Sequence, residues 1–314
     1  MAESIGKICP MTIEFNVMAE RKRQATSVRG RFAPSPTGPL HLGSLLAALG
    51  SWLHARAQNG EWRVRIEDID HAREVPGAVE AQLETLRRCG LEWDGEVVRQ
   101  SQRDARYQAT LDRLLTRGLA FECHCSRADL DGGGPHRRCL AVTKRQTPAI
   151  RLRVPDDSHV AHTDGIHGRR TQTLDREVGD FVLKRADGYW AYQLAVVVDD
   201  AAMDISEVVR GADLLDSTPR QIFLQRTLGL PTPHYAHLPL LLDDNGRKLG
   251  KSLAALPVDT GDPLPALRFV WQALGQSTAI VSSATSPQRF LRLALADFEV
   301  SRIPRAPVAP HNMI

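Results

Sequence analysis

Arg31-Phe32-Ala33-Pro34-Ser35-Pro36-Thr37-Gly38-Pro39-Leu40-His41-Leu42-Gly43-Ser44 decides how the rest of the chain is read. It runs from an apolar strand end through a Pro/Gly-rich turn into an amphipathic helix with Leu45, Leu46, Leu49, Trp52 and Leu53 on one face. A strand that turns sharply into a helix aims unpaired backbone N–H groups outward, with the positive end of the helix dipole behind them. That combination suits a phosphate. Gly38 and Gly43 have no Cβ to hold a ligand off the backbone, and His41 can donate to a phosphate oxygen. Taken alone, the pattern says only that an anion sits at a helix N-terminus, and a tight turn capped by Ser44 satisfies it equally.

Composition sets broad limits. The chain has 314 residues, 42% of them hydrophobic, enough for one large or two medium domains with a proper core. A net charge of +3 permits a polyanionic partner without requiring one. The cysteines are odd in number, and Cys123, Cys125 and Cys139 crowd together, which fits a reducing compartment and a metal better than a disulfide framework. No run is long enough to span a membrane, and residues 1–28 lack the apolar segment of a signal peptide. A cytoplasmic, monomeric enzyme is expected.

Working outward, residues 1–28 read as a loosely ordered extension, and Arg29 to Ala33 as the strand that enters the motif. Asn59-Gly60 is a turn, Trp62 to Ile66 a strand, 77–89 and 103–117 helices, and Val97-Val98 a short strand between them. This alternation predicts parallel strands with crossover helices. Glu67-Asp68-Ile69-Asp70 follows a strand's C-terminal edge, where open α/β sheets place their ligands. Cys123-His124-Cys125, a glycine run at 132–134, His136 and Cys139 break the rhythm and read as an inserted metal knuckle, with Zn²⁺ the first choice for thiolates without redox chemistry. Three unlinked free thiols are the plain alternative. Ile150 to Val154 alternates as a strand, and His159, His162 and His167 read as solvated loop residues. Asp180 to Lys184 resumes a strand. Tyr192 to Asp200 and Ile205 to Gly211 read as buried elements of a second parallel half, with Arg210 at a strand end. Ser217 with Pro219 caps a helix, and His234 to Leu242 is a final strand before the basic loop Lys248-Leu249-Gly250-Lys251-Ser252. Helices at 264–273 and 287–296 and a Pro-rich tail complete the chain.

The motif at 31–44 resembles the HIGH segment of class I aminoacyl-tRNA synthetases of the glutamate/glutamine group, R-F-A-P-S-P-T-G-x-L-H-x-G, with Ser44 in place of the last histidine. R-I-E-D-x-D at 65–70, Y-Q-L-A-x-V-x-D-D at 192–200 and V-x-R-G-x-D at 208–213 are similar to that group's other motifs in order, and 248–252 resembles the KMSKS loop, with Gly250 replacing a serine. The resemblance covers about residues 29–255. It implies a doubly wound, Rossmann-type parallel α/β catalytic domain with a zinc-bearing insertion and a short C-terminal helical stem. The expected division is 29–120 and 156–245 for the catalytic halves, 121–155 for the acceptor-type insertion, 246–305 for the loop and stem, and 306–314 for the tail.

The same resemblance implies glutamyl-adenylate formation from glutamate and ATP, with Mg²⁺ accompanying the nucleotide. His41 and Lys251 would be catalytic. Pro34, Gly38, His41, Gly43, Ser44, Lys248 and Lys251 would hold ATP, and Arg31, Ser35, Glu67, Tyr192 and Arg210 would hold glutamate. A guanidinium can grip a carboxylate through two parallel hydrogen bonds. A short, glutamate-specific branch of the group carries C-x-C with a later Y-x-x-x-C and uses the tyrosine as fourth zinc ligand. Here Pro135 stands at that place, and His136 beside it is preferred over His124 to complete Cys123, Cys125 and Cys139 around one structural Zn²⁺. That branch transfers glutamate to queuosine in the anticodon loop of tRNA(Asp), and the short stretch after Ser252 fits it, because discriminating enzymes append an anticodon-binding domain there. A shortened glutamyl-tRNA synthetase charging the tRNA 3′ end and a non-catalytic tRNA-binding paralogue stay open as alternatives.

Overall fold

A computed structural model describes residues 28–130, 134–243, 246–247, 258 and 261–309. Lys248, Gly250 and Lys251 lie outside the described residues, as do nearly all of the N-terminal extension and the last five positions. The first half alternates as its sequence pattern predicts: β1 (Arg29–Phe32), α1 (Leu42–Ala57), β2 (Glu61–Ile66), α2 (Ala78–Arg88), β3 (Val98–Arg99) and α3 (Asp104–Thr116). β1 pairs parallel with β2, and β2 parallel with β3. Then come β4 (Ala120–Cys123), the single-turn α4 (Arg127–Leu130), β5 (Ala149–Leu152), β6 (His159–Asp164), β7 (Gly168–Thr173), the short α5 (Leu174–Glu177) and β8 (Phe181–Lys184). The second half continues with α6 (Tyr192–Ala202), β9 (Glu207–Gly211), α7 (Thr218–Leu228) and β10 (His234–Leu238), and the chain closes on α8 (Leu264–Ala273), α9 (Thr278–Val281) and α10 (Pro287–Asp297).

β9 pairs parallel with β10, which meets β6 in parallel at Tyr235 and Asp164. β1 lies against the start of β9: the Ser206 N–H donates to the Arg29 carbonyl at 3.0 Å, and the Arg29 N–H to the Ser206 hydroxyl at 2.9 Å. The strand order is thus β3-β2-β1 continuing to β9-β10-β6-β7, with chain order reversing between β1 and β9. Open α/β sheets bind ligands at such a switch point.

α1 is the central support. Leu45, Leu46, Leu49 and Leu53 are fully buried, and Gly50 lies so close to β10 that a Cβ would come within 2.6 Å of a Leu238 methyl. α8 and α10 cover α1 from outside, with Leu267, Trp271 and Phe290 in the same core. The C-terminal helices therefore complete the first half's core. A second core gathers Tyr107, Leu111 and Leu114 of α3 with Val196, Val197, Ile222 and Leu224 of α6 and α7.

Several expectations change. His159 and His162 lie on β6 and His167 in the turn to β7, an antiparallel hairpin and not a solvated loop, with His167 Nε2 3.1 Å from the His237 carbonyl. The pattern failed there because β7, Gly-Arg-Arg-Thr-Gln-Thr, has no apolar side chain and is half solvated. β8 pairs antiparallel with β5, so the small sheet β4-β5-β8 takes its third strand from residues 181–184, beyond the 121–155 segment. Ser217 precedes α7 without a side-chain cap, its hydroxyl instead accepting from Gln193. The final strand stops at Leu238, and the Leu240 carbonyl and Leu242 N–H pair with Val308, which ties part of the expected tail to the domain.

Candidate active site and metal centre

The turn between β1 and α1 is held by a residue the motif does not contain. Gln82, buried on α2, donates its side-chain amide to the carbonyls of Ser35 (3.1 Å) and Gly38 (2.6 Å). Gly38 has φ +133°, a conformation glycine adopts readily and other residues resist. His41, not Ser44, is the N-cap of α1: its Nδ1 accepts from the Ser44 N–H at 3.2 Å, and its Nε2 lies 3.2 Å from the Ser44 hydroxyl. The imidazole is thereby oriented by the helix it opens. A Cβ on Gly43 would stand 3.1 Å from that ring. Pro34, Ser35, Gly38, His41, Gly43 and Ser44 line one cleft of about 280 Å³, closed on its far side by Gly211, Asp213 and Leu241.

Beside this cleft the sheet buries a cluster of charge. Arg31 on β1 reaches both carboxylate oxygens of Asp200 (3.1 and 3.4 Å), and Arg65 on β2 donates to Asp200 (2.5 Å) and to Glu67 (3.0 Å). Buried charges are tolerated only when paired in this way. Burial works to raise the Asp200 carboxyl, but Arg31 and Arg65 outweigh it and hold the group below the usual carboxylate range. For Glu67 burial prevails over the pull of Arg65 and Arg31, and its carboxyl is pushed up. Two neighbouring carboxyls are thus driven apart, and Glu67 is the one that gains from an arriving cation. Asp199, next to Asp200 on α6, faces the other way and accepts from Gln100, Arg103 and Tyr107.

Arg210 is buried on β9 and donates from Nη1 to the Tyr192 hydroxyl at 3.2 Å. Its remaining groups are largely spent inside the protein, on His237, Thr218 and the Leu214 carbonyl, so the free two-pronged fork expected from sequence is not offered. Glu67, Arg31 and Asp200 all act electrostatically on Tyr192, whose hydroxyl is raised chiefly by burial. Arg31, Glu67, Tyr192 and Arg210 are therefore grouped within electrostatic reach of one another by the β1–β9 switch point, the crevice of this sheet. Sequence reading missed Arg65, Asp200, His237 and Asp164. The first two stand inside the motifs quoted above, and a charged residue within an apolar strand or helix was the available signal.

The knuckle places the sulfurs of Cys123, Cys125 and Cys139 within 4.8 Å of one another. His136 Nε2 lies 3.3 Å from the Cys123 sulfur and 3.7 Å from that of Cys125, and the Cys125 and Cys139 sulfurs are 3.9 Å apart. Ligands about 2.0–2.3 Å from a tetrahedral zinc stand roughly 3.5–3.8 Å apart; the three sulfurs form a cluster that suits the ion, and His136 lies beside two of them. His136 Nδ1 is 3.4 Å from Asp180 Oδ2, and among the described residues neither atom has a hydrogen-bond partner, an arrangement that would suit a carboxylate behind a ligating imidazole. Burial, with Arg151 nearby, lowers the His136 pKa and favours the neutral ring that metal ligation requires. At Cys139 burial acts to raise the thiol, but N–H groups of His124 and Ala141 outweigh it and favour thiolate. His124 has its Nδ1 taken by the Arg145 N–H.

Residues 27–262 match the family described as tRNA synthetases class I (E and Q), catalytic domain. The chain is 60% identical over 278 residues to the Glutamyl-Q tRNA(Asp) synthetase of Xanthomonas campestris pv. campestris strain 8004, covering 88% of this chain and 93% of that protein. With the enzyme of the same name from Pseudomonas aeruginosa strain LESB58 it shares 48% identity over 292 residues, 92% of this chain and 99% of the relative. Among solved structures, a glutamate tRNA ligase from Elizabethkingia meningosepticum in complex with its amino acid superposes with a TM-score of 0.74 at 26% identity, over 90% of this chain and 67% of that one.

Proposed function

The chain belongs to the family of class I tRNA synthetase catalytic domains specific for glutamate and glutamine, and from that membership we propose that it activates L-glutamate with ATP and transfers it to queuosine in tRNA(Asp). The observation that carries the reading is identity of 48–60% with Glutamyl-Q tRNA(Asp) synthetases across about nine-tenths of both partners, against 26% for a glutamate tRNA ligase.

The site supports a two-step reaction. A carboxylate oxygen of glutamate attacks the α-phosphorus of ATP in line, giving glutamyl-adenylate and pyrophosphate. A hydroxyl of the queuosine ring then attacks the activated carbonyl and releases AMP. No protein nucleophile is required, so the protein contributes position and charge. Glu67, whose carboxyl burial pushes up, is the natural acceptor for the substrate ammonium, and an arriving cation would offset that burial. Arg31, Tyr192 and Arg210 supply donors to the carboxylates, with Ser35 contributing from the motif turn. ATP occupies the cleft formed by Pro34, Gly38, His41, Gly43 and Ser44, with its phosphates towards the α1 N-terminus. Lys248 and Lys251 would neutralise the departing pyrophosphate, with Mg²⁺ on the nucleotide. Cys123, Cys125 and Cys139, with His136, would hold a structural zinc, which would fix the insertion.

The test is transfer of labelled glutamate to tRNA from cells that make queuosine and from cells that cannot. Label confined to queuosine-containing tRNA(Asp), and surviving oxidation of the 3′-terminal diol, is the expected result. Equal labelling of tRNA(Glu) in both pools would assign the chain to charging the 3′ end instead.

A further inference from the structure

Behind Arg210 lies a relay that the reaction as described above does not use. His237 on β10 is completely buried, and its Nδ1 stands 2.6 Å from Oδ2 of Asp164, the last residue of β6. On the opposite edge of the ring, Nε2 stands 3.1 Å from Arg210 Nε and 3.2 Å from the Thr218 hydroxyl, which in turn accepts from Arg210 Nη2 at 2.9 Å. Three strands and the start of α7 thus converge on one imidazole.

The proton positions follow from chemistry. Burial works to raise the Asp164 carboxyl, but His237 and the N–H groups of His167 and Ile166 outweigh it and bring it down to about 2. An ionised carboxylate only accepts, so the ring proton sits on Nδ1. Nε2 is then a lone pair, the one form able to receive the Arg210 Nε–H; the other tautomer would set two N–H groups against each other.

A guanidinium has five N–H groups. In Arg210 one goes to His237, one to Thr218, one to the Leu214 carbonyl and one to Tyr192, leaving a single N–H on Nη1. The Tyr192 hydroxyl, having accepted from Nη1 at 3.2 Å, keeps its own proton to give. Two donors are left side by side, and among the described residues neither meets an acceptor.

We infer that Asp164 and His237 are positioning residues which fix the orientation of Arg210, so that its last N–H and the Tyr192 hydroxyl form a two-donor clamp for a carboxylate of glutamate. This rests on the reading that Arg210 contacts the amino acid. The clamp explains why so much of Arg210 is spent inside the protein: a guanidinium tied on three sides presents its fourth in one direction, and little side-chain freedom is lost when the substrate arrives.

The experiment uses the full chain with His237→Leu, His237→Gln and Arg210→Ala, measuring KM for glutamate and for ATP separately in adenylate formation with tRNA present, alongside the melting temperature. His237→Leu is expected to raise KM for glutamate at least tenfold while KM for ATP stays within twofold. His237→Gln, whose side-chain oxygen can accept near the Nε2 position, is expected to recover part of that loss. In the unsubstituted protein, nitrogen NMR of the imidazole is expected to show the Nδ1-protonated tautomer. A folded His237→Leu variant with both KM values unchanged would overturn the relay, as would an Nε2-protonated ring. Should the leucine variant not fold, the glutamine variant and the tautomer decide. If Arg210→Ala itself leaves glutamate activation intact, the glutamate site falls; if it cripples activation while the His237 variants behave normally, only the relay does.

Discussion

The crevice and the knuckle solve the burial of polar groups in opposite ways. In the crevice, Arg31 and Arg65 are almost fully buried and are neutralised by Asp200, brought from α6, and by Glu67 at the end of Arg65's own strand. Two substantial apolar cores flank them, so the geometry stands on the protein's own side chains. Around the knuckle the cover is thin: Val142 is wholly exposed and Leu140 half exposed, and the sheet beneath has only three short strands. There Cys123, Cys125, Cys139 and His136 have little apolar support, and the proposed zinc would take the place of a core. Where a core is deep, charges organise themselves; where it is shallow, a metal would organise them.

The largest test of that contrast is Arg65→Ala. It leaves Asp200 and Glu67 facing each other with one cation fewer, and loss of a partner from a buried ion pair costs roughly 3–5 kcal/mol. Urea unfolding is expected to show a loss of that size, and an unchanged midpoint would mean that the crevice does not depend on its charges. Arg210→Ala comes next. Adenylate formation at subsaturating glutamate is expected to fall about 100-fold, which is about 2.7 kcal/mol, with ATP affinity retained. Acid gives a third and comparable effect. The Asp164 carboxyl is held at about 2 in the fold against about 3.9 in an unfolded chain. A depressed carboxyl stabilises above its unfolded pKa, so roughly 2–3 kcal/mol is present at neutral pH and is lost as the pH falls from about 4 through 2. Stability differences between the parent protein and Asp164→Asn, measured down that range, are expected to shrink; a constant difference would remove the linkage.

The smallest effect belongs to the knuckle's outer shell. Asp180→Asn keeps an oxygen for the Val154 N–H but weakens the charge behind His136, and zinc affinity is expected to drop about tenfold. Competition with a chromogenic chelator reads this directly. Stripping the metal is expected to speed hydrogen exchange across 120–152 and leave β1 and β2 protected; protection lost equally in both would erase the distinction drawn above.

Legibility in the sequence followed the range of the interaction. The motif turn, the α1 stripe and the cysteine cluster are local, and their spacing alone announces them. Gln82, Asp164, Asp200 and His237 act on partners far along the chain, and a lone polar residue in an apolar segment says that it is paired without saying with what. The β6–β7 hairpin escaped notice for a different reason. An edge strand with one face in water carries too few apolar side chains to show a period of two. His136 was legible only in part: the vacancy beside three cysteines was plain, whereas Asp180 behind it arrives from a strand edge forty-four residues later.

One pairing bears on the order of events when the protein is made. Arg31 meets Asp200 across 169 residues of sequence, and Arg29 meets Ser206 across 177. Contacts of such separation require closure of a very long loop before they return anything, so they form late and slowly. During synthesis Arg31 on β1 leaves the ribosome well before α6 exists to neutralise it. The nascent first half must therefore wait, its charges in water and the sheet edge that will receive β9 uncovered. Competence for glutamate and completion of folding are on this account a single event.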